Sequence, residues 1–142
     1  MLLVKGITQD LFNRVKDRIT IYGTGAININ TADKIVLKSL GMSDALADKI
    51  IHFRDGSDGE EATDDDNIFE TIDAITETLI SAENLSENEV SQLNNILEVV
   101  QFCVYSDNFT GNSFGSLKSE SASIKIVFIF NRNKVVKYWR EN

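Results

Sequence analysis

The chain has 142 residues, 42% of them hydrophobic and 25% charged, with a net charge of −8 and a pI near 4.6. It is too apolar to be disordered and long enough for one domain or two small ones, and its 14 Lys and Arg are dispersed, which disfavours a phosphate-backbone partner. No run approaches the length of a transmembrane helix and no basic-then-apolar leader opens the chain, so the polypeptide as given is expected to be soluble.

In chain order, Met1 to Val4 read as the middle of an element. Gly6, Ile7 and Thr8 then set up a helix: a Gly that ends the preceding element, an apolar residue, and a hydroxyl cap. The stretch from Ile27 to Arg54, ININTADKIVLKSLGMSDALADKIIHFR, predicts two short helices joined by a tight hairpin. Thr31 is the expected N-cap of the first, with Asn28 and Asn30 organising the turn before it. Ala32, Ile35, Val36 and Leu40 form the expected inward stripe, with Lys34 and Lys38 outside. Gly41 stops this helix, and Ser43 caps a second whose inner face is Leu46, Ala47, Ile50, Ile51 and Phe53. Gly6 to Leu11 align with Gly41 to Leu46, an offset of about 35 residues. Two copies of one unit, packed as a pseudo-symmetric pair around a shared core, are therefore expected.

After Arg54 the composition changes. Asp55, Asp58, Glu60, Glu61, Asp64, Asp65 and Asp66 fall in a segment rich in small residues and without apolar periodicity, which predicts a loop. Its carboxylates are the one cluster that offers hard oxygen ligands to calcium. The acids do not alternate as in an EF-hand loop and the downstream Glu spacing is missing, so a solvated acidic loop is the expectation and no cofactor is assigned. From Ile68, the spacing of Phe69, Ile72, Ile75 and Leu79 predicts a helix. Ser86 with Glu89 forms a capping box for another, with Leu85 and Val90 as its hydrophobic staple, Val90, Leu93 and Leu97 inward, and an end before Val99.

The apolar period then changes from three or four to two. Val100, Phe102 and Val104 alternate with Gln101, Cys103 and Tyr105. Ser106 to Asn108 make a turn, and Phe109 to Leu117 read as a Gly-interrupted strand. Ile124 to Phe130 form a strand that is apolar on both faces, Asn131 to Lys134 turn, and Val135 to Arg140 form the last strand. The whole is expected to be an antiparallel meander with the strand from Ile124 to Phe130 central and covered on each side; with one cover absent, the apolar patch left could drive self-association. The fold class is α+β: a helical, helix-hairpin-helix-like domain over residues 1–98, followed by a pilin-type antiparallel β-sheet over residues 99–142.

These features together resemble a known family. VKGITQDLFNRVKDRITIYG, ININTADKIVLKSLG, ADKIIHFR and the tail VYSDNFTGNSFG to IKIVFIFNRNKVVKYWRE occur in an order similar to that of the minor pseudopilin K of bacterial type II secretion systems, over nearly the whole chain. The resemblance implies a helical domain inserted in a pilin-like α+β domain, and a full protein that begins with a hydrophobic inner-membrane helix absent from this sequence. It implies a non-enzymatic subunit of the general secretion pathway, with this portion in the periplasm at the tip of the pseudopilus. There it would assemble with the minor pseudopilins of the I and J classes and support export of secreted substrates. Calcium has been described in the family, and no ligand is carried over to named positions.

A DNA-binding helix-hairpin-helix protein of the competence type is the alternative. Such hairpins use a Gly-x-Gly turn whose N–H groups approach a phosphate. Here the second Gly is missing after both Gly6 and Gly41, and Asp10 and Asp44 stand beside the turns, so a structural use is expected. An enzyme is a weaker fit still. His52 is the only His, Cys103 is the only Cys and lies far from it in sequence, and no Gly-x-Ser-x-Gly or P-loop spacing occurs, so no catalytic or metal-binding residue is assigned. His52 is expected on the flank of its helix and Cys103 as a small buried strand residue. Of Tyr138 and Trp139, one is expected to face the sheet's core and one to be free for a partner.

Overall fold

The computed structural model describes residues 4–116 and 123–141. The chain folds as two compact units, one reaching to Tyr105 and one beginning at Ser106. Helices and two sheets make the fold α+β.

In the first unit, α1 (Gln9–Val15) starts where the sequence places it. Gly6 has φ +92°, and the Thr8 hydroxyl accepts from the Leu11 N–H at 3.1 Å. The helix buries no residue, so the expected pseudo-symmetric pair is not formed: the repeat lies in the turn and cap and does not extend to packing. The element expected over residues 1–4 falls mostly outside the described residues.

α2 (Lys34–Ser39) is capped by Asp33, whose carboxylate accepts from the Val36 N–H at 2.8 Å. Thr31 does not cap it. The Thr31 and Ala32 N–H groups both donate to the Asn28 carbonyl in a turn, which delays the helix by two residues. The delay shifts the inward face: Leu37, outside the expected stripe, is fully buried and Ile35 is 57% exposed, while Ala32, Val36 and Leu40 face the core as expected. Gly41, at φ +101°, ends the helix in the left-handed conformation that Gly adopts without strain. Ser43 then caps α3 (Asp44–Arg54), accepting from the Leu46 N–H at 3.2 Å, and Leu46, Ala47 and Ile50 are buried as expected.

The segment from Ile68 to Ala74 is not helical, contrary to expectation, and α4 spans Ile75–Glu83. Phe69, Ile75 and Leu79 do enter the core, but Phe69 does so from an extended stretch, its ring 4.7 Å from that of Phe53. Asn84, at φ +50°, closes α4. α5 (Glu87–Val99) begins with the predicted capping box: the Ser86 N–H donates to the Glu89 carboxylate at 2.8 Å and Ser86 Oγ accepts from the Glu89 N–H at 3.4 Å. Leu93 and Ile96 are its buried residues.

β1 (Ile27–Asn28) and β2 (Phe102–Cys103) pair in parallel, Ile27 with Phe102 and Asn28 with Cys103. The alternation from Val100 to Val104 suggests the first strand of an antiparallel meander. Its backbone instead closes the helical unit, the Ile27 and Ile29 N–H groups donating to the Gln101 and Cys103 carbonyls. Parallel pairing needs a long crossover, and here the crossover is the whole set of helices α2 to α5.

The second unit is a three-stranded antiparallel sheet in the order β3 (Asn108–Ser116), β4 (Ser123–Asn131), β5 (Val136–Glu141). β4 is central, as its double-sided apolarity suggests. It is not covered: no residue of the three strands is buried. Leu117, expected in the first of these strands, lies outside the described residues.

Candidate functional site

The Asn-rich turn before α2 forms a polar clip inside the helical unit. Asn30 Nδ2 donates to the Phe69 and Val104 carbonyls, both at 2.9 Å, and its Oδ1 accepts from the Phe69 N–H at 2.8 Å. One side chain thus supplies backbone partners to two segments that have no strand to pair with, and Asn28 Oδ1 accepts from the Asn30 N–H at 3.0 Å. Arg54, at the end of α3, does the same from below. It is buried, and its Nη1 donates to the Ile29 and Ala32 carbonyls at 3.0 and 2.7 Å. Burial pushes its pKa down, with Asp55, Glu61 and Asp66 opposing that shift. A guanidinium stays charged through such a shift, so Arg54 is a fixed double donor. Asn28, Asn30 and Arg54 therefore organise the fold, and Thr31 is exposed.

The hairpin is closed on itself. The Ser43 N–H donates to Gln92 Oε1 at 3.1 Å, and Gln92 Nε2 donates to the Gly41 carbonyl at 3.2 Å, so α5 occupies the turn that a phosphate would otherwise approach. The lysines beside it are also engaged: Lys38 pairs with Asp44 at 2.8 Å, and Lys34 pairs with Asp48 and Asp44. The hydrogen bond from Lys38 holds the Asp44 carboxyl below its usual range, and the one to Asp48 raises Lys34. Nothing in the sequence marks Gln92 for this role, because its partner lies about fifty positions away.

The acidic loop is likewise internally satisfied. Asp65 accepts from the Ser57 hydroxyl and N–H and the Asp58 N–H through one oxygen, and from the Thr63 hydroxyl through the other. These bonds hold its carboxyl well below the ordinary range, the Ser57 hydroxyl first. Gly56, at φ +68°, lets the chain pass so close to Asp65 that a Cβ there would collide with its carbonyl. Among the described residues no group of three or more His, Cys, Asp or Glu is arranged to hold a metal.

His52 stands on the exposed side of α3, 2.9 Å from Glu83, which raises its pKa. Cys103 is half-buried on β2. The two are not brought into contact by any interaction among the described residues.

The remaining surface is the sheet. Phe109, Phe130, Phe128 and Trp139 form an aromatic ladder across all three strands, with centroid separations of 5.5, 5.9 and 5.9 Å, and the Arg132 guanidinium stands 5.9 Å from the Phe109 ring. Phe128 lies over Gly111, where a Cβ would strike its ring. Tyr138 sits opposite Ile129 and Trp139 opposite Phe128, so the two aromatics point to opposite faces. Both are exposed, at 38% and 54%, because neither face of the sheet has a covered core for one of them to enter.

Compared with protein-family models, with curated proteins and with solved structures, the chain matches none. No helix among the described residues is long and apolar enough to cross a membrane.

Proposed function

We propose that this chain is a non-enzymatic assembly subunit, the periplasmic portion of a minor pseudopilin of the K class. In this reading the full-length protein is anchored in the inner membrane and sits at the tip of the type II secretion pseudopilus with the I- and J-class minor pseudopilins, supporting protein export. The observation that carries the reading is the presence, in one chain, of a self-closed helical unit and an antiparallel sheet whose aromatic ladder, Phe109, Phe130, Phe128 and Trp139, is left open. Apolar sheet faces of this kind are completed by another element or another subunit.

The DNA-binding alternative has less support. Its hairpin N–H is bonded to Gln92 and its lysines to Asp44 and Asp48, on a chain of charge −8. Co-expression with I- and J-class minor pseudopilins from the same genome tests the proposal. A complex that survives size exclusion, and that Phe128→Asp abolishes while the helical unit stays folded, is expected. Failure of the chain to enter any such complex, or a tight salt-sensitive shift of duplex DNA, would overturn it.

A further inference from the structure

β3 is an edge strand with no device to stop another strand from joining it. Its nine residues, Asn108–Ser116, carry no charge and no Pro. The opposite edge, β5, carries Lys137 and Arg140, and its register with β4 is broken by an irregularity at Ile129 and Phe130. Charges and bulges are the means by which sheet edges refuse a neighbour, and only one of the two edges has them.

The direction of the free groups follows from the pairing. The Arg132 N–H donates to the Asp107 carbonyl at 2.8 Å, so the odd-numbered residues of β3 turn their backbone groups toward β4. Alternation then aims the N–H and C=O of Thr110, Asn112 and Phe114 outward, and all three residues are exposed.

We propose that β3 pairs with β3 of a second copy of this chain, antiparallel, about a two-fold axis through Asn112. The strand is complementary to itself in that register. Asn112 meets its own copy, Thr110 meets Phe114 on one face, and Phe109 meets Gly115 on the other. The structure already uses such a contact once, where Phe128 lies across Gly111. Gly115 has room for the same, its nearest neighbour being an Ile124 methyl 3.7 Å from where a Cβ would stand. No like charges face each other, because β3 has none. Such an isologous contact closes as a dimer and joins two three-stranded sheets into one of six. At longer range two chains of −8 repel, so salt strengthens the association.

Sedimentation equilibrium of the 142-residue chain, from micromolar to millimolar concentration at low and high salt, reads this directly. A monomer–dimer equilibrium that tightens with salt is expected. Asn112→Pro removes an outward N–H while sparing the bonds to β4, and Asn112→Lys sets two like charges opposite each other on the axis. Each raises the dissociation constant at least roughly tenfold with unchanged circular dichroism. In a Cys103→Ala background, Asn112→Cys cross-links under a copper–phenanthroline oxidant, since directly opposed residues of a hydrogen-bonded antiparallel pair stand about 5.5 Å apart at Cα. Lys137→Cys on the other edge does not. A chain that stays monomeric throughout, a dimer that both edge variants leave intact, or cross-linking as fast at Lys137→Cys as at Asn112→Cys overturns the proposal.

Discussion

Different physics holds each of the two units of this protein together. The helical unit buries Ile29, Leu37, Leu46, Ile50, Ile75, Leu79 and Leu93 completely and ties its irregular segments with Asn30 and Arg54. The sheet buries none of its strand residues and depends on backbone ladders and rings stacked on its surface. Their charges differ as well. From Ser106 onward Lys118, Lys125, Arg132, Lys134, Lys137 and Arg140 outweigh Asp107, Glu120 and Glu141, a net of +3 that leaves −11 for the rest of the −8 chain. One unit is therefore complete as a folded body, and the other is a surface awaiting company.

The most severe test of that contrast is a cavity in the helical unit. Leu46→Ala is expected to lower its stability by about 2–5 kcal/mol in denaturant unfolding, whereas Phe114→Ala, in the exposed sheet, changes it within about 0.5 kcal/mol. If the sheet substitution cost as much, the two units would not be energetically distinct. Asn30→Ala comes next, at about 1–3 kcal/mol, because it strands the Phe69 N–H and two carbonyls away from water. Ser86→Ala, which removes half of the capping box, should cost about 1 kcal/mol in the same assay.

Two pH effects probe the helical unit on a smaller scale. The Ser86 N–H and hydroxyl and the Lys49 ammonium hold the Glu89 carboxyl down at about 2, from an ordinary 4.5. A depressed carboxylate contributes stability that is present above its unfolded pKa and is lost as pH falls through the folded one. The helical unit should therefore weaken between about pH 4.5 and 2, and Glu89→Gln should flatten that limb of a thermal-melt series. The His52 pKa is raised by Glu83, so the sign reverses: that contribution is full below about 6.5 and fades as pH rises through the folded value. His52 is exposed, and the effect should be the smallest of all, seen best as a shifted His52 titration in NMR that Glu83→Gln abolishes.

Signals in the sequence are legible where a few neighbouring residues suffice to fix the outcome. Gly41, Ser43 and the Ser86–Glu89 box act within four residues, and the structure has each in its expected role. The strands β4 and β5 follow from local content, an apolar run on both faces in one and β-branched and aromatic residues in the other. What periodicity and caps do not reveal depends on partners remote in sequence. Asp33 displaces Thr31 as the cap of α2 because the Asn28 carbonyl has already claimed the N–H groups of Thr31 and Ala32, and a six-residue helix is too short for periodicity to fix its face. Phe69, Ile72 and Ile75 have helical spacing, yet the Phe69 backbone is bound by Asn30 across 39 positions, and the chain turns over Ile72 to Ala74 before α4 begins. The parallel pair of β1 with β2 is two residues long, with no composition of its own to betray it. Of the surface candidates, Trp139 and Tyr138 are visible as residue types, but the ring of Phe128 over Gly111, which sets the ladder, needs the register.

That short parallel pair has an architectural consequence. Ile27 and Phe102 are neighbours in space, so the chain leaves for its long helical excursion and comes back at one doorway. A module hinged in this way can be added to a host fold, or trimmed from it and bridged by a few linker residues, without moving the host's two cut ends apart. Evolution can thus remodel the excursion's outer helices while whatever borders the doorway keeps its shape.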